Sequence, residues 1–103
     1  MSETKEFDSF ASFYPFYLAE HSNQTCRRLH FVGSTLVLML LVYIVITASW
    51  AFFLLLPLVG YGFAWIGHFF FEKNKPATFT YPWYSFMGDW VMYKDILTGK
   101  IRF

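Results

Sequence analysis

The chain reads as an all-α integral membrane protein: a two-span transmembrane helical hairpin flanked by an interfacial amphipathic helix at each end. Three observations lead there. First, no Asp, Glu, Lys or Arg occurs between Arg28 and Glu72, which leaves an uncharged run of 43 residues, Leu29 to Phe71, rich in Leu, Val, Ile and Phe. Second, a single helix of that length would measure roughly 65 Å, about twice a bilayer core of ~30 Å, so the run is expected to fold as two spans. Third, the 103 residues are 56% hydrophobic and 24% aromatic but only 15% charged. A chain this short cannot bury so much apolar surface in its own core, and lipid must take the remainder.

Each element follows from local chemistry. Residues 1–8 are polar and expected to fray. Ser9 or Ser12 can cap a first, interfacial helix over 9–21, whose Tyr- and Phe-rich content suits the headgroup level and whose Pro15 is tolerable in a first turn. His21-Ser22-Asn23 interrupts it, and Ser22 or Asn23 can cap the first span, expected over 24–49. The least greasy stretch of the run, Thr47-Ala48-Ser49-Trp50, marks the fold-back, and residue 49 is also the midpoint of His30 and His68. The second span is expected over 50–72. Its Pro57 can kink a helix, and Gly60 and Gly62 allow close helix–helix contact within or between chains, so a homo-oligomer stays open. Two prolines, Pro76 and Pro82, define an extended connector. A last interfacial helix over 83–98 carries Phe86, Trp90, Tyr93 and Leu97 at helical spacing and ends at Gly99. Interrupted by Asp89, Lys94 and Asp95, it is too short and too charged to span. The whole makes a single membrane domain, 1–103.

The charges orient the hairpin. Arg27 and Arg28 precede the first span, Lys73 and Lys75 follow the second, and the turn between carries none. By the positive-inside rule both termini face the cytoplasm. The acidic opening, with no apolar segment directly behind it, does not resemble a secretory signal, so the first apolar run is expected to remain as an anchor. A net charge of +1 gives no reason to expect nucleic-acid binding. The single Cys26 excludes an intrachain disulfide and reads as an inert buried thiol.

The chain has three histidines, His21, His30 and His68, and the hairpin brings all three to one membrane face. His68 and Glu72 are four apart and share a helix face, half of a metal site. Asn23, Arg27 and His30 share a face of the first span in the same way. His21 and His30 are nine apart, on opposite sides of any one straight helix, so both reach one ion only if a helix boundary falls at about 21–23. Histidines with one carboxylate and an open position suit Fe(II) and O₂ chemistry. Arg27 and Arg28, with Asn23 beside them, could hold the polar head of a lipid or fatty acyl substrate, although Arg27 and Arg28 serve equally as membrane anchors. Asp89 and Asp95 could order ligands from behind, or simply keep the last helix at the water interface.

Phe16-Tyr17, His21-x-Asn23 and His30 resemble the amino-terminal motif of the 2-hydroxy fatty acid dioxygenase family. Trp65-x-Gly67-His68-x-x-x-Glu72-Lys73-x-x-Pro76-Ala77 resembles its second motif. The resemblance covers roughly a third of the chain. It implies a membrane enzyme that needs Fe(II) and uses O₂ to shorten 2-hydroxy fatty acids by one carbon, as in the breakdown of hydroxylated sphingoid bases. It further implies His21, His30 and His68 as the iron-site and catalytic residues; Glu72 as a fourth ligand is an inference from spacing. The characterised members are longer, with additional apolar segments between the motifs. The tail from Pro82 to Lys100 looks like that of a compact bacterial sub-branch, which implies the inner membrane, or the endoplasmic reticulum for a eukaryotic chain.

Two other readings stand beside this one. His30 and His68 could be axial ligands of a b-type haem, which leaves His21 and Glu72 idle. The histidines could also be interfacial anchors of a non-enzymatic scaffold or lipid-binding protein. A transporter is disfavoured, because neither span interior carries an acid or a base.

Overall fold

The computed structural model describes residues 7–103; of the polar opening, residues 1–6 lie outside the described part. Helix α1 spans Phe10–Ala19, α2 Gln24–Thr47, α3 Leu55–Ile66 and α4 Pro82–Leu97, and no strand occurs among the described residues. A 3-10 stretch, Trp50–Leu54, leads into α3, and a π-helical stretch, Gly67–Glu72, continues from it.

Local chemistry explains the boundaries. Ser9 caps α1 by accepting from the Ser12 N–H at 3.2 Å, and Ser12 accepts in return from the Ser9 N–H. Pro15 sits inside α1 without breaking it. The chain leaves α1 at Glu20, and Asn23 opens α2 by accepting from the Cys26 N–H at 3.0 Å. A helix boundary therefore separates His21 from His30. At the far end Ala48 adopts a left-handed φ of 56° and the chain reverses. Pro57 falls in the first turn of α3, where its missing N–H costs little.

Helices α2 and α3 run antiparallel, with contacts from Cys26–Gly67 through Gly33–Phe63 and Val37–Gly60 to Tyr43–Phe52. Gly33 makes the approach possible: a Cβ there would lie 2.8 Å from Phe63 Cβ. Both are long and apolar enough to cross a membrane, counting Trp50–Glu72 as one continuous segment. Only 17% and 11% of their apolar windows are buried, unlike a helix in the core of a soluble protein. Met39, Ile46, Leu54, Leu58 and Phe70 all point outward.

Over one end of this pair lies a second layer. Phe13 and Tyr17 of α1 are fully buried against Met92 and Ile96 of α4 and Ala77 of the connector. An aromatic shell of Phe7, Phe10, Tyr81 and Tyr84 surrounds Phe13 at ring separations of 5.4–6.2 Å. This small core fixes α1, and hence His21, over the ends of α2 and α3.

Candidate metal centre

Three separate pieces of backbone deliver the histidines. His21 leaves the turn after α1, His30 lies one turn into α2 beyond Cys26, and His68 sits in the π-helical stretch. All three are buried. Their Nε2 atoms converge: His21 lies 3.1 Å from His30 and 3.0 Å from His68. The rings stand nearly perpendicular, with centroids 4.4–4.9 Å apart.

The surroundings decide what those contacts are. His21 Nδ1 donates to the Tyr17 carbonyl at 2.6 Å and His30 Nδ1 to the Cys26 carbonyl at 2.9 Å. Carbonyls only accept, so both hydrogens are on Nδ1. His68 Nδ1 faces Asn74 Oδ1 at 2.7 Å. The Asn74 amide is oriented because its nitrogen donates to the Glu20 carbonyl and carboxylate at 3.1 and 3.2 Å. All three imidazoles therefore present a bare Nε2 lone pair to one point. Lone pairs 3.0–3.1 Å apart repel each other, and a shared cation turns that repulsion into coordination.

The donor set fits a metal ion. His21, His30 and His68 are the group whose ligand atoms could hold one among the described residues. His30 and His68 Nε2 atoms 3.1 and 3.0 Å from that of His21 are close enough for all three to be ligands of one ion, were it bound at the usual distance of about 2.1 Å. Haem does not fit, because His21 Nε2 lies beside both His30 and His68, where the macrocycle would have to pass.

Burial, reinforced by the two neighbouring imidazoles, holds His21 well below the usual histidine range, so it is neutral at pH 7. Beside it Tyr17 stacks on the His21 ring at 4.1 Å and donates its hydroxyl hydrogen to Asp89 Oδ1. Burial and the Asp89 charge raise Tyr17 well above the ordinary tyrosine range, while burial pushes Asp89 up to about 7. An apolar cavity of about 350 Å³ between α2, α3 and α4 runs up to His30 and Asp89, with Val37, Pro57, Gly60 and Phe86 among its walls.

A family model described as 2-hydroxy-palmitic acid dioxygenase Mpo1-like matches residues 7–101. The chain belongs to the Mpo1-like family. No curated protein and no solved structure gives a significant match. The family's description names a dioxygenase of a hydroxylated fatty acid, and the buried three-histidine cluster is consistent with a metal-dependent enzyme.

The remaining candidate residues of this Mpo1-like chain lie elsewhere. Glu72 turns away from the histidines, accepting from the Asn23 backbone N–H and the Ser22 hydroxyl. Asn23 caps α2 and reaches the Phe71 carbonyl at 3.4 Å. Together Ser22, Asn23 and Glu72 clasp the start of α2 to the end of the π-helical stretch. Arg27 donates to the His21, Ser22 and Arg102 carbonyls, and Arg28 to the Phe103 carbonyl while lying over the Phe103 ring. Both arginines order backbone around the site and do not line the cavity. Sequence reasoning missed Tyr17 and Asn74 as partners of the histidines. Asn74 lies beyond the left-handed turn at Lys73, so no helical spacing links it to His68.

Proposed function

We propose that this chain is a membrane-embedded, Fe(II)-dependent dioxygenase that shortens 2-hydroxy fatty acids by one carbon. The observation that carries the reading is the convergence of three bare Nε2 atoms, each imidazole locked by an Nδ1 hydrogen bond, at the end of an apolar cavity. Family membership supports the substrate class. One O₂ per acid balances as the acid one carbon shorter, CO₂ and water, with no external reductant.

Iron(II) held by His21, His30 and His68 would supply the redox chemistry that lets O₂ react with an otherwise inert α-carbon. The protein's part is placement. Tyr17, Cys26 and Asn74 fix the three rings through their Nδ1 hydrogens. The apolar cavity takes the acyl chain and keeps water from the reacting end. Glu72 closes the helix clasp instead of completing the ligand set.

The same reading places α2 and the α3 segment across the bilayer as a hairpin, with α1 and α4 at the interface and both termini cytoplasmic. The outward apolar faces and the exposed Trp50 and Trp83 support the depth of that placement, and Arg27, Arg28, Lys73 and Lys75 its orientation. The test is aerobic incubation of the purified, iron-loaded protein in detergent with 2-hydroxypalmitic acid. Formation of the fifteen-carbon acid with uptake of one O₂ supports the reading. Intact substrate, with iron bound, would favour a lipid-binding protein.

A further inference from the structure

Among the described residues, Asp89 is the one acid on the wall of the apolar cavity. It also lines the small space around His21, His30 and His68, so it stands at the junction of the two. Its place is fixed from two sides. The Tyr17 hydroxyl donates to its Oδ1, and the adjacent Gly88 lets α4 lie directly on the Tyr17 ring, where a Cβ would come within 2.9 Å of Cδ2. The second oxygen of Asp89 is engaged by no described residue. A carboxyl group kept in an apolar wall with one oxygen unused costs stability that a leucine would not. Tyr17 accounts for only the first oxygen, because its hydroxyl carries a single hydrogen.

We propose that Asp89 selects the hydroxylated acid: its free oxygen hydrogen-bonds the 2-hydroxyl of the acyl head group, while the chain beyond lies in the apolar cavity. A hydroxyl both donates and accepts, so it pairs with the carboxyl group whether or not that group carries a proton. An unsubstituted fatty acid presents only a CH₂ at the same point and leaves the oxygen unpaired, which is the strongest available form of discrimination between such close analogues. The inference rests on reading the site as one for 2-hydroxy acids. It adds the residue that reads the hydroxyl.

The test is equilibrium binding of 2-hydroxypalmitic and palmitic acid to the iron-loaded protein in detergent under anaerobic conditions, with iron content measured in parallel. Wild type should prefer the hydroxylated acid. In Asp89→Leu that preference should fall by about 10-fold or more, with iron content and palmitic acid binding unchanged. Asp89→Asn, which keeps the shape and an acceptor for Tyr17, should lose a smaller part, roughly 3-fold. Tyr17→Phe, with Asp89 present, should retain most of the preference. A preference equal to wild type in both Asp89 variants would overturn the inference while leaving the proposed activity standing. A wild type that binds no 2-hydroxy acid would overturn that activity and this inference together.

Discussion

Asn74 accepts the Nδ1 hydrogen of His68 at 2.7 Å, and its own amide is held in register by two hydrogen bonds to Glu20. The residue that leads out of α1 thus sets the tautomer of a histidine 48 positions later. Asn74→Ala should weaken iron binding by about 10- to 100-fold without unfolding the helices, and Asn74→Asp should restore only part of it, because one carboxylate oxygen still accepts from His68 while the other faces the Glu20 carbonyl and carboxylate. Iron titration with circular dichroism checks both. Equal iron affinity in Asn74→Ala would remove the hydrogen bond from the account.

Glu72 gives a contrasting result. Its carboxylate accepts from backbone at the start of α2, where it also complements the helix dipole. Glu72→Ala should therefore lower stability by about 1–2 kcal/mol while leaving one iron per chain. Loss of iron at unchanged melting temperature would make Glu72 a ligand after all.

Asp89 makes stability depend on pH. Burial raises its carboxyl to about 7 in the folded chain, against about 3.9 unfolded. The folded state keeps a proton that the unfolded chain releases, so this contribution is present below pH ~4 and is lost as pH rises through about 7. The full loss is on the order of 4 kcal/mol. Melting in detergent between pH 5 and 8 should show Asp89→Asn gaining stability relative to wild type as pH rises, since the buried neutral histidines contribute alike to both. A difference between the two proteins that stays constant over the same range would contradict it.

Gly88 and Gly62 form an internal comparison. A Cβ at Gly88 meets three atoms of the Tyr17 ring at 2.9–3.1 Å, and Tyr17, fully buried, has nowhere to move. Gly88→Ala should cost about 1–3 kcal/mol by overpacking. At Gly62 nothing lies within 4 Å, so Gly62→Ala should be neutral or stabilising by up to about 1 kcal/mol through helix propensity. Thermal melts of the two variants decide it.

Much of this arrangement was legible in the residues. The charge-free run and its weak midpoint located two apolar helices and the reversal at Ala48, and His21-Ser22-Asn23 announced the break that lets His21 and His30 meet. Less legible was everything that depended on a non-α backbone. Spacing of four between His68 and Glu72 implies a shared face only in an α-helix, and Gly67–Glu72 is π-helical, so Glu72 faces α2 instead. Asn74 was hidden by the left-handed turn at Lys73. Asp89 stayed open between ordering ligands and holding the last helix at the water interface, because nothing in its own helix reveals that Tyr17, 72 positions earlier, donates to it.

In the proposed enzyme His21, His30 and His68 together hold one iron. The most direct measurement is the iron content of the detergent-purified chain after anaerobic loading with Fe(II), beside His21→Ala, His30→Ala and His68→Ala. About one tightly held iron per wild-type chain is expected, with a loss of at least an order of magnitude in affinity in each variant and helicity retained. Iron binding that is absent from wild type, or unchanged in all three variants, would contradict it.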